Sequence, residues 1–551
     1  MQRGNVMSYV IGMDFGTLSA RAIVVDAQTG EEKGAGVLDY PHAVIVRELA
    51  GTSLPAEYAL QDPQDYLDCL RHCIPSAVAQ AGIDPSEVKG IGLDHTSATV
   101  LVTDEKGTPL CQLDEFKDNP HAWIKLWKHH GGQAQADRIV QLAQERNESW
   151  LGRYGGVLSS ELLLPKALET LEEAPEVYAA AAHIVNALDW IPWMLTGNLV
   201  YAEGDSGYKR MYQDGSYPSK EFLSALNPGF ANVFEEKMSA PIKPLGEPVG
   251  TLTQQWADEL GLSTDVVVAV GNIDAHVTAP AVEAVEPGQL TGILGTSVCW
   301  VVSGNEYKDV PGVFGTVLGG IVPGKWGFEA GQTAVGDIFA WFVSNCVPGS
   351  YEAEAAEQGI SVHELLTNKA AQQRVGEHGL LALDWHNGNR SILADANLSG
   401  MILGQTLLTK PEDQYRALLE ATVFGARVII ENFEQHGVEI TEIVAAGGLL
   451  KNAFLMQLFA DICRRPLSTA TSSQAPALGA AIYAAVAAGL YPDVFAASAA
   501  MGGKVENQYV PNEERALEYD PIYAEYLKLH DYFGRGGNDV MYKLRQIQKG
   551  A

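Results

Sequence analysis

The sequence is poor in cysteine, in basic residues and in long apolar runs. Its 551 residues include six cysteines, and no Cys/His set has the spacing of a zinc site. Only Cys69 and Cys73 are close, at helical spacing, so free thiols in a reducing compartment are expected rather than disulfides. No run approaches the ~18–20 apolar residues of a membrane span, and the first residues lack a signal-peptide pattern. We therefore expect a cytoplasmic protein without a membrane partner.

Basic residues are also outnumbered by acidic ones. The chain has 37 Lys and Arg against 68 Asp and Glu, a net charge of −31 at pH 7. This balance disfavours nucleic acid as a partner, because binding its backbone by counterion release requires basic side chains. A small phosphorylated ligand held by local donors remains compatible with it. The length suggests two large domains or three smaller ones.

The chain contains the same short sequence motif twice, beginning at Tyr9 and at Gln289. Each copy is an apolar β-type run, a tight turn and a second β-type run. The first turn follows Asp14 and contains Gly16, Thr17 and Ser19, and the second contains Gly295, Thr296 and Ser297. Glycine lets the backbone approach a ligand, and clustered N–H and hydroxyl donors suit phosphate oxygens. One such turn is more often a plain hairpin, but two in corresponding positions predict a nucleotide clamped between duplicated domains.

No segment satisfies the P-loop pattern. Residues 319–325 come near it, but Trp326 stands where a Mg²⁺-binding Ser or Thr is needed. We interpret residues 319–325 as a β-turn, so a nucleotide would have to be bound by the two hairpins.

Three acidic residues are candidates for a catalytic, metal-binding or sugar-binding role. Asp14 lies beside the first turn, where a carboxylate near phosphates predicts a Mg²⁺ contact; an Asx-type turn residue is the alternative. Asp274 follows the apolar run 266–270, where open α/β sheets place ligands, and it suits a base that orients a hydroxyl in phosphoryl transfer. Glu329, in a glycine-punctuated turn, is either a sugar-binding acid or a solvated turn residue.

Strand and helix patterns occur in both halves of the chain. The periodicity predicts a strand at residues 32–38, helices at 63–81 and 413–436, and a closely packed small-residue helix from Pro476. A Gly447-Gly448 turn before a helix suits either a ligand or an ordinary connection. These patterns predict an α/β architecture with two similar lobes and a cleft.

In this order and at these spacings, the motifs resemble those of the FGGY carbohydrate kinases of the actin/heat-shock ATPase superfamily. The resemblance covers nearly the whole chain and is carried by residues 14–17, 271–274, 294–297, 447–452 and 475–481. It implies two duplicated actin-like (ribonuclease-H-like) α/β domains with a central ATP/sugar cleft. The expected boundaries are 1–287 for the sugar-binding and catalytic domain and 288–551 for the nucleotide-binding domain.

The resemblance also implies a role for each matching residue. Asp274 would be the catalytic base, and Asp14 would support Mg²⁺. The residues expected to contact the sugar are Thr96, Lys209, Asp274 and Glu329. The residues expected to contact ATP are Gly16, Thr17, Ser19, Gly295, Thr296, Gly448 and Asn452.

Within that family the chain most resembles the members that phosphorylate L-ribulose in arabinose catabolism. The similar segments are residues 92–97, 126–130, 206–210 and 384–391. The implied reaction is ATP-dependent formation of L-ribulose 5-phosphate. The alternatives are another pentulose or polyol kinase, acting on D-ribulose, xylulose or ribitol, and a non-metabolic actin-like assembly or chaperone-type ATPase.

Both ends of the sequence allow further expectations. The helical pattern at residues 521–548 predicts either a homodimer contact or packing on its own domain. The first six residues carry no pattern, and Met7 is a second candidate for the start of translation.

Overall fold

The structure, a computed structural model, describes residues 8–548. Residues 1–7 and 549–551, with the candidate start at Met7, lie outside the described residues. The chain divides into two compact units. Unit 1 comprises the chain up to Val285 together with Thr316–Gly327 and Gln474–Gly503, and unit 2 comprises Glu286–Gly315, Phe328–Ser473 and the chain from Lys504. The sequence predicts one boundary between two continuous domains, after residue 287, whereas each unit of the structure combines three separate segments of the chain.

Both units mix strands and helices. The strands are β1 (Tyr9–Phe15), β2 (Ser19–Asp26), β3 (Glu32–Asp39), β4 (Glu48–Leu49), β5 (Thr52–Ser53), β6 (Leu60–Gln61), β7 (Val88–His95), β8 (Val100–Thr103), β9 (Ile124–Lys125), β10 (His183–Asn186), β11 (Tyr201–Ala202), β12 (Ile242–Lys243), β13 (Pro248–Thr251), β14 (Val267–Ala269), β15 (Asn272–Ile273), β16 (Gln289–Leu294), β17 (Val298–Gly304), β18 (Gly315–Leu318), β19 (Trp326–Gln332), β20 (Leu381–Leu383), β21 (Met401–Leu403), β22 (Glu442–Ala446), β23 (Leu467–Ala470) and β24 (Lys504–Tyr509). The helices are α1 (Pro63–Ala81), α2 (Gln133–Glu145), α3 (Leu163–Glu173), α4 (Pro175–Ala180), α5 (Ala187–Thr196), α6 (Glu203–Lys209), α7 (Lys220–Leu226), α8 (Val233–Lys237), α9 (Gln254–Leu260), α10 (Asp274–Ala281), α11 (Gly336–Cys346), α12 (Gly349–Gln358), α13 (Val362–Ala371), α14 (Pro411–Gln435), α15 (Ala453–Cys463), α16 (Ala475–Ala487), α17 (Val494–Met501), α18 (Glu513–Gly534) and α19 (Val540–Gln548).

The main sheets of the two units have the same strand order. The first sheet runs β3-β2-β1-β7-β14-β13, and the second contains the run β19-β17-β16-β22-β23-β24. In the first, β1 pairs antiparallel with β2 and parallel with β7, and β16 does the same with β17 and β22. The matching outer pairs β14/β13 and β23/β24 are both antiparallel. The duplication predicted from the two hairpins is therefore confirmed at the level of whole sheets.

Local sequence explains where the predicted helices begin and end. Helix α1 has Pro at its first position, an N-cap Asp62 that accepts from the N–H of Gln64, and Gly82 in a left-handed C-cap (φ 64°). Its bounds confirm the predicted 63–81. Helix α14 covers all but the last predicted residue, since it ends at Gln435.

Helix α16 packs with its backbone directly on the strands of unit 1. A Cβ atom on Gly12 of β1 would lie 1.8 Å from the carbonyl oxygen of Ala477. On Gly92 of β7 it would lie 1.9 Å from that of Ala480. The two strands can approach the helix this closely only because both positions are glycine. The close packing predicted for the small-residue helix is confirmed.

The C-terminal stretch forms two helices rather than one. Helix α18 ends at Gly534 and α19 begins at Val540, so the predicted continuous pattern is interrupted between them. Tyr523 and Tyr526 are buried within unit 2, where their hydroxyl groups donate to Glu431 (2.8 Å) and Asp384 (3.1 Å). This part of the stretch packs on its own domain. Within residues 8–548, no helix has the length and apolar character needed to cross a membrane.

Candidate functional site

The first turn, residues 16–19, is closed by its own backbone. The N–H of Gly16 donates to the carbonyl oxygen of Ser19 at 3.0 Å, which joins β1 to β2. The indole N–H of Trp127 donates to Thr17 Oγ1 at 3.1 Å. Because this oxygen already accepts a bond, its own hydroxyl hydrogen can point elsewhere and donate to a ligand. The turn therefore offers hydroxyl donors at the carboxyl end of β1.

Three carboxyl groups occur at the carboxyl ends of neighbouring parallel strands of unit 1. Asp14 of β1 is paired in register with Asp94 of β7, and Asp94 is paired with Asn272 of β15. Asp274 follows β15 as the first residue of α10. Parallel strands that end at one sheet edge bring these residues together although they are far apart in sequence.

The electrostatics of the three carboxyls are coupled. Asp94 is fully buried, and burial together with the charges of Asp14 and Asp274 raises its pKa well above the ordinary value. Burial also raises the pKa of Asp14, while the guanidinium of Arg21, 3.4 Å away, opposes that shift. Within residues 8–548, the carboxyl oxygens of Asp94 accept no hydrogen bond from any donor, apart from a proton that Asp94 can share with Asp14. The cluster is therefore an environment that attracts a proton or a cation.

Asp274 and Thr96 both lie beside these strands. The carboxylate of Asp274 accepts from the N–H of Ala275 at 2.7 Å at the N-terminus of α10, where the helix dipole favours negative charge. Thr96 follows β7, and its N–H donates to the carbonyl oxygen of Phe15 at 3.1 Å. The structure therefore brings Thr96, Asp274 and the first turn to one edge of the unit 1 sheet.

Lys209 is the last residue of α6 and is buried, with its ammonium group 5.6 Å from the ring centre of Tyr208. The next residue anchors this end of the helix. The guanidinium of Arg210 donates to Asp189 (2.8 Å) and to Ser206 (3.0 Å) and stacks on Tyr201 at 3.7 Å. Lys209 is therefore a buried basic residue beside an anchored arginine, whereas a basic residue in such a motif is often on the surface.

The second turn lies in unit 2 and is held by the start of α11. The N–H of Gly295 donates to the carbonyl oxygen of Ser297 at 3.0 Å. The N–H groups of Val335 and Asp337 donate to the carbonyl oxygen of Thr296 at 2.8 and 3.2 Å. This support from a segment about 40 residues downstream has no local sequence signal. The side chain of Thr296 remains exposed.

The Gly447-Gly448 turn meets the second hairpin through its first glycine. Gly447 has φ 104°, and a Cβ atom there would lie 2.5 Å from the carbonyl oxygen of Leu294, so only glycine fits. Gly448 is exposed with open space around it. Asn452 is the N-cap of α15, since its Oδ1 accepts from the N–H of Leu455 at 3.0 Å. Its amide group donates to Thr367 Oγ1 at 3.2 Å.

Glu329 does not lie in a turn, as the sequence predicted, but in the middle of strand β19. The glycines on either side pack against other elements of the fold instead of reversing the chain, as Gly331 does against the carbonyl oxygen of Val298. Glu329 is 3% exposed, and its carboxylate pairs with the guanidinium of Arg390 at 3.5 Å. That guanidinium stacks on Phe314 at 3.8 Å. By contrast, residues 319–325 form the predicted turn.

Three residues at this site, Asp94, Arg21 and Trp127, have no role predicted from the sequence. A signal for Asp94 was present, since Ile91-Gly92-Leu93-Asp94 repeats the pattern of Ile11-Gly12-Met13-Asp14. In both, the glycine packs on α16 and the aspartate is the last residue but one of the strand. The contacts of Arg21 and Trp127 depend on pairing with distant segments and could not be inferred from local sequence.

Two domains of one protein family match the sequence. The N-terminal domain of the FGGY family of carbohydrate kinases matches residues 9–280, and the C-terminal domain matches residues 290–488. A ribulokinase of Mycolicibacterium smegmatis is 56% identical over 546 residues, covering 98% of this chain and 97% of the relative. A ribulokinase of Geobacillus thermodenitrificans is 47% identical over 552 residues, covering 98% of each chain.

Solved structures support the same fold at lower identity. A gluconate kinase from Lactobacillus acidophilus superposes with a TM-score of 0.80 at 19% identity, covering 96% of this chain and 99% of the other. A xylulose kinase from the same organism gives 0.78 at 19% identity, covering 95% and 98%. The fold is thus the two-domain actin-like α/β fold that the sequence predicted. The chain belongs to the FGGY family of carbohydrate kinases.

Proposed function

We propose that this kinase transfers the γ-phosphoryl group of ATP to the 5-hydroxyl of L-ribulose. The observation that carries the proposal is the placement of Asp274 beside the Asp14/Asp94 register pair at one sheet edge, next to the first turn. The choice of ribulose rests on the relatives named ribulokinase at 47–56% identity. The product would be L-ribulose 5-phosphate.

In this proposal Asp274 orients the acceptor hydroxyl and takes its proton. The transition state of phosphoryl transfer is loose, so the base acts late and mainly positions the nucleophile. Thr96, Lys209 and Glu329 hold the sugar, with Arg390 fixing the carboxylate of Glu329. The hydroxyl groups of Thr17, Ser19 and Thr296 donate to phosphate oxygens, because the N–H groups of the turn glycines already close the turns. Gly448 and Asn452 lie beside the nucleoside.

The chain offers suitable residues for Mg²⁺. Magnesium prefers carboxylate oxygens and water, and the buried carboxyl of Asp94 has no donor beyond a proton shared with Asp14 within the described chain. Asp14 would hold the ion, which when bound neutralises charge on the phosphates. Arg21 limits the negative charge of Asp14 from the other side.

The cellular setting is part of the same proposal. We place the enzyme in the cytoplasm, where ATP is available and where thiols stay reduced, as suits the buried free cysteines Cys69, Cys73 and Cys463. A homodimer remains a prediction, which light scattering after size-exclusion chromatography tests directly.

Two measurements test the proposal. Coupled ADP release should be fastest with L-ribulose in a panel that also contains D-ribulose, xylulose, ribitol and no sugar. Faster turnover of another sugar would reassign the substrate, and equal turnover without sugar would favour a plain ATPase. Asp274→Asn should abolish turnover and leave nucleotide binding largely intact, with the exposed Asp265→Asn as control. Activity of Asp274→Asn within a few-fold of the parent would remove Asp274 as the base.

A further inference from the structure

Lys166 is a completely buried cation beneath the site of unit 1. It lies in α3, and its side chain has no exposed surface. Its ammonium group donates to the backbone carbonyl oxygens of Ala98 and Leu126, each at 2.7 Å, and to that of Lys125 at 3.5 Å. Every hydrogen bond it makes within residues 8–548 therefore goes to a neutral backbone oxygen. Burial lowers its pKa to about 7. A buried ammonium without a direct carboxylate partner is costly for the fold.

The first carbonyl belongs to the 96–99 turn, which carries Thr96. Ala98 has φ 47°, a left-handed conformation that is unfavourable for a residue with a Cβ atom. The turn is tied internally, with Thr96 Oγ1 and Thr99 Oγ1 2.9 Å apart. The bond from Lys166 to the Ala98 carbonyl oxygen stabilises the turn in this left-handed form. Thr96 is thereby fixed beside Phe15 at the end of β1.

The second carbonyl, that of Leu126, is linked to the turn at residues 16–19. Leu126 is followed by Trp127, whose indole N–H donates to Thr17 Oγ1 at 3.1 Å. Fixing the Leu126 carbonyl restricts the backbone that places this indole group. One ammonium group therefore contacts both the segment that presents Thr96 and the segment that supports Thr17.

We propose that Lys166 is a positioning residue for the kinase reaction, holding the 96–99 turn and the Leu126-Trp127 segment in their relative places through two backbone carbonyls. This role rests on the proposed function, in which Thr96 contacts the sugar and Thr17 contacts ATP. Lys166 touches neither ligand and acts only through these segments. Its neighbour Lys125 differs, because that ammonium bonds to Glu169 (2.7 Å), to Thr170 (2.8 Å) and to the backbone carbonyl oxygen of Lys166 (3.3 Å), but to no atom of either turn.

The test compares Lys166→Met with Lys125→Met, which removes an equally buried ammonium from the same region. Steady-state kinetics would be measured at saturating ATP and then at saturating L-ribulose, with thermal unfolding of each variant. We expect Lys166→Met to raise the KM for L-ribulose about tenfold while kcat falls no more than about threefold. Lys125→Met should lose stability but keep this KM within about twofold. A folded Lys166→Met with an unchanged KM, or an equal rise in Lys125→Met, overturns the proposal.

Two further variants keep the result decisive. If Lys166→Met does not fold, Lys166→Arg retains the charge but enlarges a fully buried group, and it should raise the same KM by displacing both segments. An unchanged KM in a folded Lys166→Arg would then overturn the proposal. Thr96→Ala distinguishes an error in the proposed sugar contact from an error in the proposed role of Lys166. If it leaves the KM for L-ribulose unchanged, the sugar contact in the proposed function is wrong. If it raises this KM and the Lys166 variants do not, only the role of Lys166 is lost.

Discussion

Gly479 of α16 lies directly against Val277 of α10: a Cβ atom on this glycine would sit 1.8 Å from the Val277 carbonyl oxygen. Helix α10 begins with Asp274, one turn before this contact. The position of the proposed base thus depends on a residue about 200 positions later in the chain, in a segment that belongs to the same unit.

Gly479→Ala should therefore reduce both activity and stability. The new methyl group cannot be accommodated unless backbone moves, which costs about 1–3 kcal/mol in unfolding free energy. Displacement of α10 should lower kcat by about tenfold or more, because reacting groups tolerate little misplacement. Urea unfolding and steady-state kinetics measure the two effects. Gly349→Ala, at a helix position with open space around it, is the control and should leave both unchanged. Full activity of Gly479→Ala would show that α10 is not held by this contact.

Glu169 should be essential for the stability of unit 1. Its buried carboxylate accepts from Lys125 at 2.7 Å and lies 3.0 Å from His129 Nε2, and the Lys125 charge and the bond with His129 outweigh burial to hold its pKa well below the ordinary range. Glu169→Gln leaves Lys125 without its countercharge, so the unfolding free energy should fall by about 3–5 kcal/mol.

Glu172→Gln provides the matched control for this change. Glu172 lies on the same helix and pairs with the exposed Arg138 at 2.6 Å, and losing such a surface pair should cost no more than about 1 kcal/mol. Equal losses in the two variants, measured by chemical denaturation at pH 7, would contradict the importance of burial at Glu169.

Asp384 should make unit 2 less stable as the pH rises from about 4 to 6. Burial raises its pKa from 3.8 to about 6, although bonds from Gln332 (2.9 Å) and Tyr526 (3.1 Å) oppose the shift. In this interval the unfolded chain loses the proton while the folded chain keeps it, so unfolding becomes easier by roughly 3 kcal/mol. Asp384→Asn cannot ionise and should remove most of this slope from unfolding curves recorded across the interval. Asp539→Asn, a change at an exposed aspartate, is the control and should leave the slope of stability against pH unchanged. If the slope is also unchanged in Asp384→Asn, other groups cause the loss of stability between about pH 4 and 6.

Trp127→Phe should weaken ATP binding with little effect on folding. The substitution keeps an aromatic ring but removes the donor to Thr17 Oγ1. A neutral hydrogen bond contributes about 0.5–1.5 kcal/mol, so the KM for ATP should rise about two- to tenfold. Trp123→Phe is the control, since its indole N–H donates to the Lys117 carbonyl oxygen instead, at 2.8 Å. A KM for ATP that rises in neither variant would mean that the Trp127 bond does not orient Thr17.

Local patterns were sufficient for the parts of the fold that local forces determine. The bounds of α1 follow from Asp62, Pro63 and Gly82, which act within one turn of the helix ends. The two hairpins could be read in the same way, because their turns are closed by bonds between near neighbours. Glu329 lies in a strand although its flanking glycines predict a turn, because these glycines allow close packing, which sequence spacing does not reveal.

Residue type and short spacing are enough to identify the duplicated hairpins, the family resemblance and the residues proposed for chemistry. The folded chain was needed to show that Asp94 joins Asp14 beside Asp274, that α16 returns to unit 1, and that Lys166 contacts the 96–99 turn. These relationships arise where strands pair and helices pack across long stretches of chain. Their physical cause is close backbone packing and burial of charge, which act between segments that the sequence keeps far apart.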